Sequence, residues 1–141
     1  MANPRNTVDF SDIKPLNLTF IADGSSVTFD RDEEGGSAQV GLAVNLSASK
    51  TIQTAGDGEV VIGVLLSVEP DGTCTVQVGG VATFKGGTSA TLTPGTAIVG
   101  DLLSSAEGYI QTAGTGSVAA AAAGRGRILD ASDTSAVKVL L

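Results

Sequence analysis

A nine-residue stretch that occurs twice is the strongest constraint on the fold of this chain. Residues 52–60 read IQTAGDGEV, and residues 110–118 repeat them with seven of nine positions identical. Two copies are too few for a solenoid, which needs about three repeats to bury a continuous core. The repeat therefore predicts a pseudo-symmetric barrel or sandwich.

The similarity continues on both sides of this stretch. It predicts one β unit used twice, with copies at about 41–80 and 98–141. Length differences between the copies are expected in turns, where insertions are tolerated. The matching segments are Ser47-Ala48 with Ser105-Ala106, 63–66 with 126–129, and 76–78 with 137–139.

The composition is typical of short strands joined by tight turns. The chain has 19 glycines, few aromatic residues and no tryptophan or histidine. β-Branched residues between glycines favour strands, and glycine favours turns. Five alanines at 119–123 are too few to nucleate a helix, so they predict a loop or a small-side-chain strand. Alternating or continuous apolar patterns predict strands at 16–20, 27–29, 40–46, 60–68, 73–78, 81–85, 89–92 and 137–141.

We therefore expect an all-β protein, a single small β-barrel or β-sandwich at residues 16–141 with an internal two-fold repeat. Residues 1–15 predict an extended N-terminal arm, because Pro4 and Pro15 interrupt backbone hydrogen bonding. Phe10 and Ile13 are apolar side chains on this otherwise polar arm, which suggests that they anchor on a partner.

Charge argues against nucleic acid as a partner. The formal net charge is −7, and the eight basic residues are scattered instead of clustered. Arg125 and Arg127 are the one close pair, interpreted as two solvent-facing charges or as an interface contact. No apolar run approaches the ~20 residues that cross a bilayer, so no membrane segment is predicted.

The side chains available for catalysis do not predict an enzyme. Histidine is absent, which removes serine and cysteine triads that use it as a base. The single cysteine, Cys74, alternates with valines on a predicted strand and is expected in the core. Two carboxylate pairs, Asp57 with Glu59 and Asp30 with Glu34, could act as acid and base, but the second copy does not keep the first pair. No cofactor is predicted.

An acidic loop at residues 30–36 resembles the start of a calcium-binding EF-hand loop. Asp30, Asp32 and Glu34 alternate and Gly35 takes the sixth position, but the twelfth position is Gly41 instead of the required glutamate. A solvated charged loop is the main interpretation, and a weak cation site stays open as the alternative. No metal ligand is assigned.

Residues 40–141 resemble the small β-rich capsid decoration, or cement, proteins of tailed bacteriophages. The resemblance lies in the order of several short motifs over about 100 residues. These are a Val-x-Val strand ending at 79–81, the step at 93–96 followed by 97–99 and Asp101, then 108–110, 126–129 and a final strand at 137–141.

The resemblance implies a structural virion protein on the outer surface of the expanded head, made in the host cytoplasm. Such a protein would bridge neighbouring subunits of the major capsid protein, often as a homotrimer. The residues we expect at the capsid interface are Pro4, Arg5, Phe10, Ile13, Leu16, Arg125 and Arg127.

Two other functions remain open from the sequence. One is a ligand- or carbohydrate-binding β-sandwich module, for which Tyr109 and the acidic loop are the candidates. The other is a different virion subunit, such as a tail-tube or head-fibre protein. Strand order cannot be read from the sequence.

Overall fold

The computed structural model describes residues 14–87, 91–114 and 122–141, and it confirms the all-β prediction. A short 3-10 turn at Glu34–Gly36 lies in the loop after the first strand. The described residues form ten strands. They are β1 (Leu16–Ala22), β2 (Ala43–Ala48), β3 (Thr51–Thr54), β4 (Gly63–Val68), β5 (Thr73–Gly79), β6 (Val81–Phe84), β7 (Ile98–Leu103), β8 (Ala106–Thr112), β9 (Arg127–Asp130) and β10 (Val137–Leu140).

The first five strands close into a barrel in the order β1-β3-β2-β4-β5. Four of the five pairings are antiparallel, and the closing pair is parallel, between Ile21 of β1 and Thr51 of β3. We call residues 14–80 unit 1. Closure leaves few unpaired strand edges in this unit, which suits a small domain.

The second five strands, in what we call unit 2 (residues 81–141), follow the same order. β6, β10 and β9 form one sheet and β7 pairs with β8. Single bridges complete the ring: Gly86 pairs in parallel with Ile110, and Ile98 pairs antiparallel with Arg125. The strand order β6-β8-β7-β9-β10 therefore repeats that of unit 1.

Matching hydrogen bonds show that the repeat extends beyond the copies predicted from sequence. Asp23 N–H donates to Ile52 O at 3.0 Å, and Gly87 N–H donates to Ile110 O at 3.0 Å. Ile52 and Ile110 are equivalent in the repeated motif. Because these bonds lie just after β1 and β6, the two strands belong to their respective copies.

The last strand aligns differently from the sequence match. Leu65 of β4 pairs with Val76, whereas Ile128 of β9 pairs with Val139. Leu65 and Ile128 are equivalent, so Val76 corresponds to Val139. The sequence match to Val137 is two residues out of register, since alternating valines look the same after a shift of two.

Each unit has its own hydrophobic core, and the core of unit 2 is shared with unit 1. The core of unit 1 includes Val27, Val44, Ile52, Leu65, Val68, Cys74 and Val76, which confirms the predicted core position of Cys74. The core of unit 2 includes Phe84, Ile98, Ile110, Ile128, Val137 and Val139, together with Ala43, Ala55, Val61 and Val64 from unit 1.

The two units meet where the repeated loop of unit 1 lies against β7. Gly58 N–H donates to Gly100 O at 2.9 Å, and Gly100 N–H donates to Glu59 O at 2.8 Å. A Cβ added at Gly100 would lie 2.1 Å from Gly56 O, and one at Gly108 would lie 2.8 Å from Leu42 Cβ. Both positions therefore require glycine for the units to approach this closely.

Some predicted strands are wrong or differently bounded. Residues 27–29 form no strand, because the Asp23 carboxylate binds the backbone there and holds a turn. The strand predicted from 40 begins at Ala43. The run at 60–68 is a strand from Gly63, with a register shift between Leu65 and Ser67.

Two predicted segments involve residues outside the description. Residues 91 and 92 of the strand predicted at 89–92 are not in a strand, and positions 88–90 lie outside the described residues. Most of the alanine run at 119–123 also lies outside them.

Substituting Gly100→Ala tests the contact between the units. We expect it to lower the free energy of unfolding by about 3 kcal/mol, because the new methyl group meets a backbone oxygen that has no room to move. Gly24→Ala is the control, since Gly24 has φ of 76° and open space around it, and should cost about 1 kcal/mol of backbone strain. Urea unfolding of both variants measures the difference, and equal losses would contradict the tight contact.

Candidate interaction surfaces

The predicted arm residues fall largely outside the described part of the chain. Pro4, Arg5, Phe10 and Ile13 all lie before residue 14, where the description begins. Leu16, the last of the predicted arm contacts, is the first residue of β1, pairs with Gly79 and is 57% exposed.

The chain enters unit 1 beside the link between the two units. A Cβ added at Gly80 would lie 3.0 Å from Lys14 O and 3.2 Å from Pro15 Cα. Gly80 joins β5 to β6, so residues 14 and 15 pack against the connection itself. Any partner contact made by residues before 14 would start from this point.

β1 presents apolar side chains to solvent, in contrast to the half-buried strand predicted from sequence. Phe20 packs against the core of unit 1, but Leu18, two residues earlier on the same alternation, is 45% exposed, and Ile21 is also exposed. β1 pairs with β5 along its length, yet its described pairing with β3 is confined to Ile21 and Ala22. Exposed apolar side chains beside an open strand edge favour contact with another protein.

Arg125 faces inward, which differs from the expected solvent-facing charge. Its guanidinium donates from Nη1 to Ile62 O and from Nη2 to Val78 O, the latter at 2.6 Å. Both acceptors belong to unit 1, whereas Arg125 belongs to unit 2. The planar guanidinium can reach two carbonyl groups at once, so this residue ties the units together.

Arg127 is exposed and lies in different surroundings from Arg125. Its Nη1 donates to Gly126 O at 2.7 Å. It lines an open depression of about 310 Å³. The other residues around this depression are small, and they are Gly95, Thr96, Ala97, Ala113, Gly114 and Gly124.

The negative charge of the chain is concentrated in unit 1. Residues 14–80 contain three basic and nine acidic residues, whereas residues 81–141 contain four of each. Unit 1 therefore carries nearly all of the net charge of −7. A partner that lies against unit 1 should have a neutral or basic surface.

The acidic loop at 30–36 is shaped by its own backbone. Asp30 N–H donates to Gly36 O at 2.8 Å, and Asp30 Oδ1 accepts from Asp32 N–H at 3.0 Å. Gly36 lies so close to β4 that a Cβ there would be 2.0 Å from Val68 O. Within residues 14–87, 91–114 and 122–141, no three potential metal-binding side chains come together.

The carboxylate pair noted in the sequence holds the inter-unit loop in place. Glu59 Oε2 accepts from Gly56 N–H at 2.9 Å, and Asp57 Oδ1 accepts from Gln111 Nε2 at 2.7 Å. Gln111 belongs to unit 2, so Asp57 adds a side-chain contact between the units. These bonds give both acidic residues a structural role where the units meet.

Cys74 and Tyr109 are the residues that the sequence offers as candidates for reactivity and for ligand contact. Burial raises the pKa of the Cys74 thiol, and the charges of Asp23 and Asp71 raise it further, which disfavours the reactive thiolate. Tyr109, the only tyrosine in the chain, is half-buried in β8 instead of forming an open aromatic platform.

Sequence reasoning missed the residues that join the units. The signal was present, because the copies differ at two equivalent positions: Leu46 and Lys50 in unit 1 correspond to Gly100 and Gly108 in unit 2. A side chain in one copy and glycine in the other marks a close approach that occurs only once. The match of Lys50 to Gly108 follows from the offset of the repeated motif, whereas the match of Leu46 to Gly100 depends on strand register, which the sequence did not supply.

Comparisons of the chain with protein-family models, with curated proteins and with solved structures found no significant match. Among the described residues, no helix is long and apolar enough to span a bilayer.

Replacing Arg125 with lysine should weaken the connection between the units. Lysine keeps the charge but cannot donate to Ile62 O and Val78 O in the same fixed geometry. We expect a loss of about 2 kcal/mol in the free energy of unfolding, measured by urea unfolding. Arg127→Lys is the matched control and should change it by less than about 0.5 kcal/mol. Equal effects would contradict the tie formed by Arg125.

The Asp23 carboxylate should stabilise the fold at neutral pH and lose this effect in acid. Burial alone would raise the pKa of its carboxyl group, but hydrogen bonds from Val27, Ser26 and Ser25 outweigh it and lower the pKa from 3.8 to about 2. Because the folded pKa is depressed, the stabilisation is present above pH 4 and is lost as the pH falls toward 2.

Asp23→Asn should therefore destabilise the protein by about 1 kcal/mol at pH 7 and flatten its stability profile between pH 4 and 2. The measurement is urea unfolding across this pH range. Asp32→Asn in the exposed acidic loop is the control. A variant profile parallel to that of the unsubstituted protein would contradict the role of Asp23.

Proposed function

We propose that this chain is a structural virion protein that binds the exterior of an expanded phage head. It bridges neighbouring subunits of the major capsid protein and so stabilises the shell. The proposal includes a homo-oligomer, expected to be a trimer, on the capsid surface. It is supported by the resemblance to decoration proteins and by the surface features of unit 1.

The exposed apolar side chains of β1 carry the proposal. Leu16, Leu18 and Ile21 are large side chains with about half of their surface open to solvent. They lie on the strand where residues before 14 enter the fold, so an arm and an apolar surface would act together. Burying such a surface against a shell protein would contribute about 25 cal/mol per Å² of apolar area.

Multiple weak contacts suit a protein that holds a shell together. A standard interface buries roughly 800 Å² on each partner, which a chain of this size offers on several sides. Contacts to two or more shell subunits at once add through effective concentration, so modest individual contacts give tight binding. The acidity of unit 1 is compatible with an outer surface that is distant from packaged DNA.

The first test is whether the chain travels with virus particles. We expect it to sediment with megadalton particles from a lysate of its source, at hundreds of copies per particle. Deleting residues 1–13 should then reduce binding to heads that lack the chain at least tenfold, because the arm contacts are removed while β1 remains.

Two controls make the deletion informative. The shortened chain should keep its circular dichroism spectrum and melting temperature, since β1 begins at Leu16. Replacing Leu103, which is 44% exposed in β7, with aspartate should leave head binding unchanged. Recovery of the chain only in the soluble fraction, with intact particles lacking it, would overturn the proposal.

A further inference from the structure

Seven residues of unit 1 form one part of the surface that holds unit 2. Four of them contribute to the core of unit 2. Two others lie against glycines of unit 2, Gly56 against Gly100 and Leu42 against Gly108. A Cβ built on the seventh, Gly41, would lie 3.8 Å from Lys85 Cε. The seven residues are Gly41, Leu42, Ala43, Ala55, Gly56, Val61 and Val64.

Unit 2 carries an equivalent of this surface. Gly41 N–H donates to Leu65 O at 2.8 Å, and Gly95 N–H donates to Ile128 O at 2.8 Å. In the same way, Ala55 N–H donates to Ala43 O and Ala113 N–H donates to Ala97 O. These bonds, with the bridges described above, fix the correspondence residue by residue.

The equivalent surface is open. The seven corresponding residues of unit 2 are Gly95, Thr96, Ala97, Ala113, Gly114, Gly124 and Arg127, and together they are the lining of the depression of about 310 Å³. A surface that is covered in unit 1 therefore has an uncovered counterpart in unit 2.

The other half of the contact is open on unit 1. Ala82 of β6 is 1% exposed, in the core that residues of unit 1 complete, whereas its equivalent Leu18 in β1 is 45% exposed. Gly100 is buried against the loop of unit 1, whereas its equivalent Leu46 in β2 is 45% exposed. Leu46 N–H bonds to the Asn45 side chain at 2.7 Å, where Gly100 N–H bonds to Glu59 O of the other unit.

We propose that two copies of this chain dock head to tail. The side of unit 1 that carries Leu18 and Leu46 in one copy lies against the depression in unit 2 of the other copy. Each chain therefore exposes both of the surfaces that such a contact needs. The equivalent surfaces already contact each other once within the chain, where unit 1 meets unit 2. Arg127 in the depression would face the acidic unit of the next copy, which is favourable electrostatically. This proposal rests on the homo-oligomer of the proposed function and identifies its surfaces.

The contact between copies is looser than the contact within a chain. Leu46 and Lys50 carry side chains where Gly100 and Gly108 allow backbones to touch. The glycine and alanine lining of the depression leaves room for such side chains. Because the two surfaces are different, the contact is heterologous, and repetition gives a ring if the rotation closes.

Sedimentation equilibrium of the isolated full chain tests this contact without any capsid. Between about 1 μM and 1 mM, a range that covers weak protein contacts, the average mass should rise above that of the monomer. Leu46→Asp and Ala97→Arg should each remain monomeric, because each removes one side of the contact.

An equal mixture of the two variants gives the decisive result. Each retains the side that the other has lost, so the mixture should form dimers and nothing larger. Leu103→Asp, of matched exposure, and Ser132→Arg, in an exposed loop, should associate like the unsubstituted chain. Thermal melting followed by circular dichroism establishes that all four variants are folded.

Two results would overturn the proposal. One is an unsubstituted chain that remains monomeric over the whole range, and the other is a mixture that stays monomeric although the unsubstituted chain associates. Loss of head binding has no part in either result, so a failure here is distinguishable from a failure of the proposed capsid role.

Discussion

The backbone contact between Gly100 and the loop at 56–59 determines how the two halves of the chain fit together. Two hydrogen bonds join this loop to β7, and the missing side chain at Gly100 allows the backbones to touch. Ala55, Val61 and Val64, which flank the loop in sequence, can then complete the core of unit 2. The core of unit 2 is thus incomplete without unit 1.

Because unit 1 completes the core of unit 2, its two sides differ in how closely they are packed and in which side chains they expose. Its side toward unit 2 is tightly fitted and uses Asp57, Glu59 and the carbonyls that bind Arg125. Its other side, along β1 and at Leu46, keeps large apolar side chains in solvent. One copy of the repeat therefore serves as a support, and the same copy offers the surface best suited to an external partner.

Much of the fold could be predicted because strands and turns leave local marks. The repeat, strand β5 and the final strand were all recognisable in the sequence from alternating side chains and from glycines in the turns. The closing parallel pair of β1 and β3 was not, because closure depends on the stagger of strands that are distant in sequence. A shift of two residues in the last strand was invisible for the related reason that Val137 and Val139 point the same way.

The candidate surfaces were predictable only in part. Leu18 and Leu46 fit an alternating pattern perfectly, and that pattern cannot tell a core position from one at the open margin of a small barrel. Arg125 and Arg127 look alike in sequence, since neither the shared glycine context nor the charge shows which one meets Ile62 and Val78. The partners of the acidic loop and of Asp57 depend on tertiary contacts, such as the approach of Gly36 to Val68 and the bond from Gln111 to Asp57.

Gly80 has a consequence for how the chain can be reconnected. Leu141 N–H donates to Gly80 O at 2.9 Å, and Lys14 and Pro15 pack against the same residue. Positions 14 and 141 therefore come close together at the link between the units. A circularly permuted chain, joined between these positions by a short linker and opened at the exposed turn of residues 69–72, would keep every strand pairing. Peptides attached at either position would be displayed side by side, at one site on the surface.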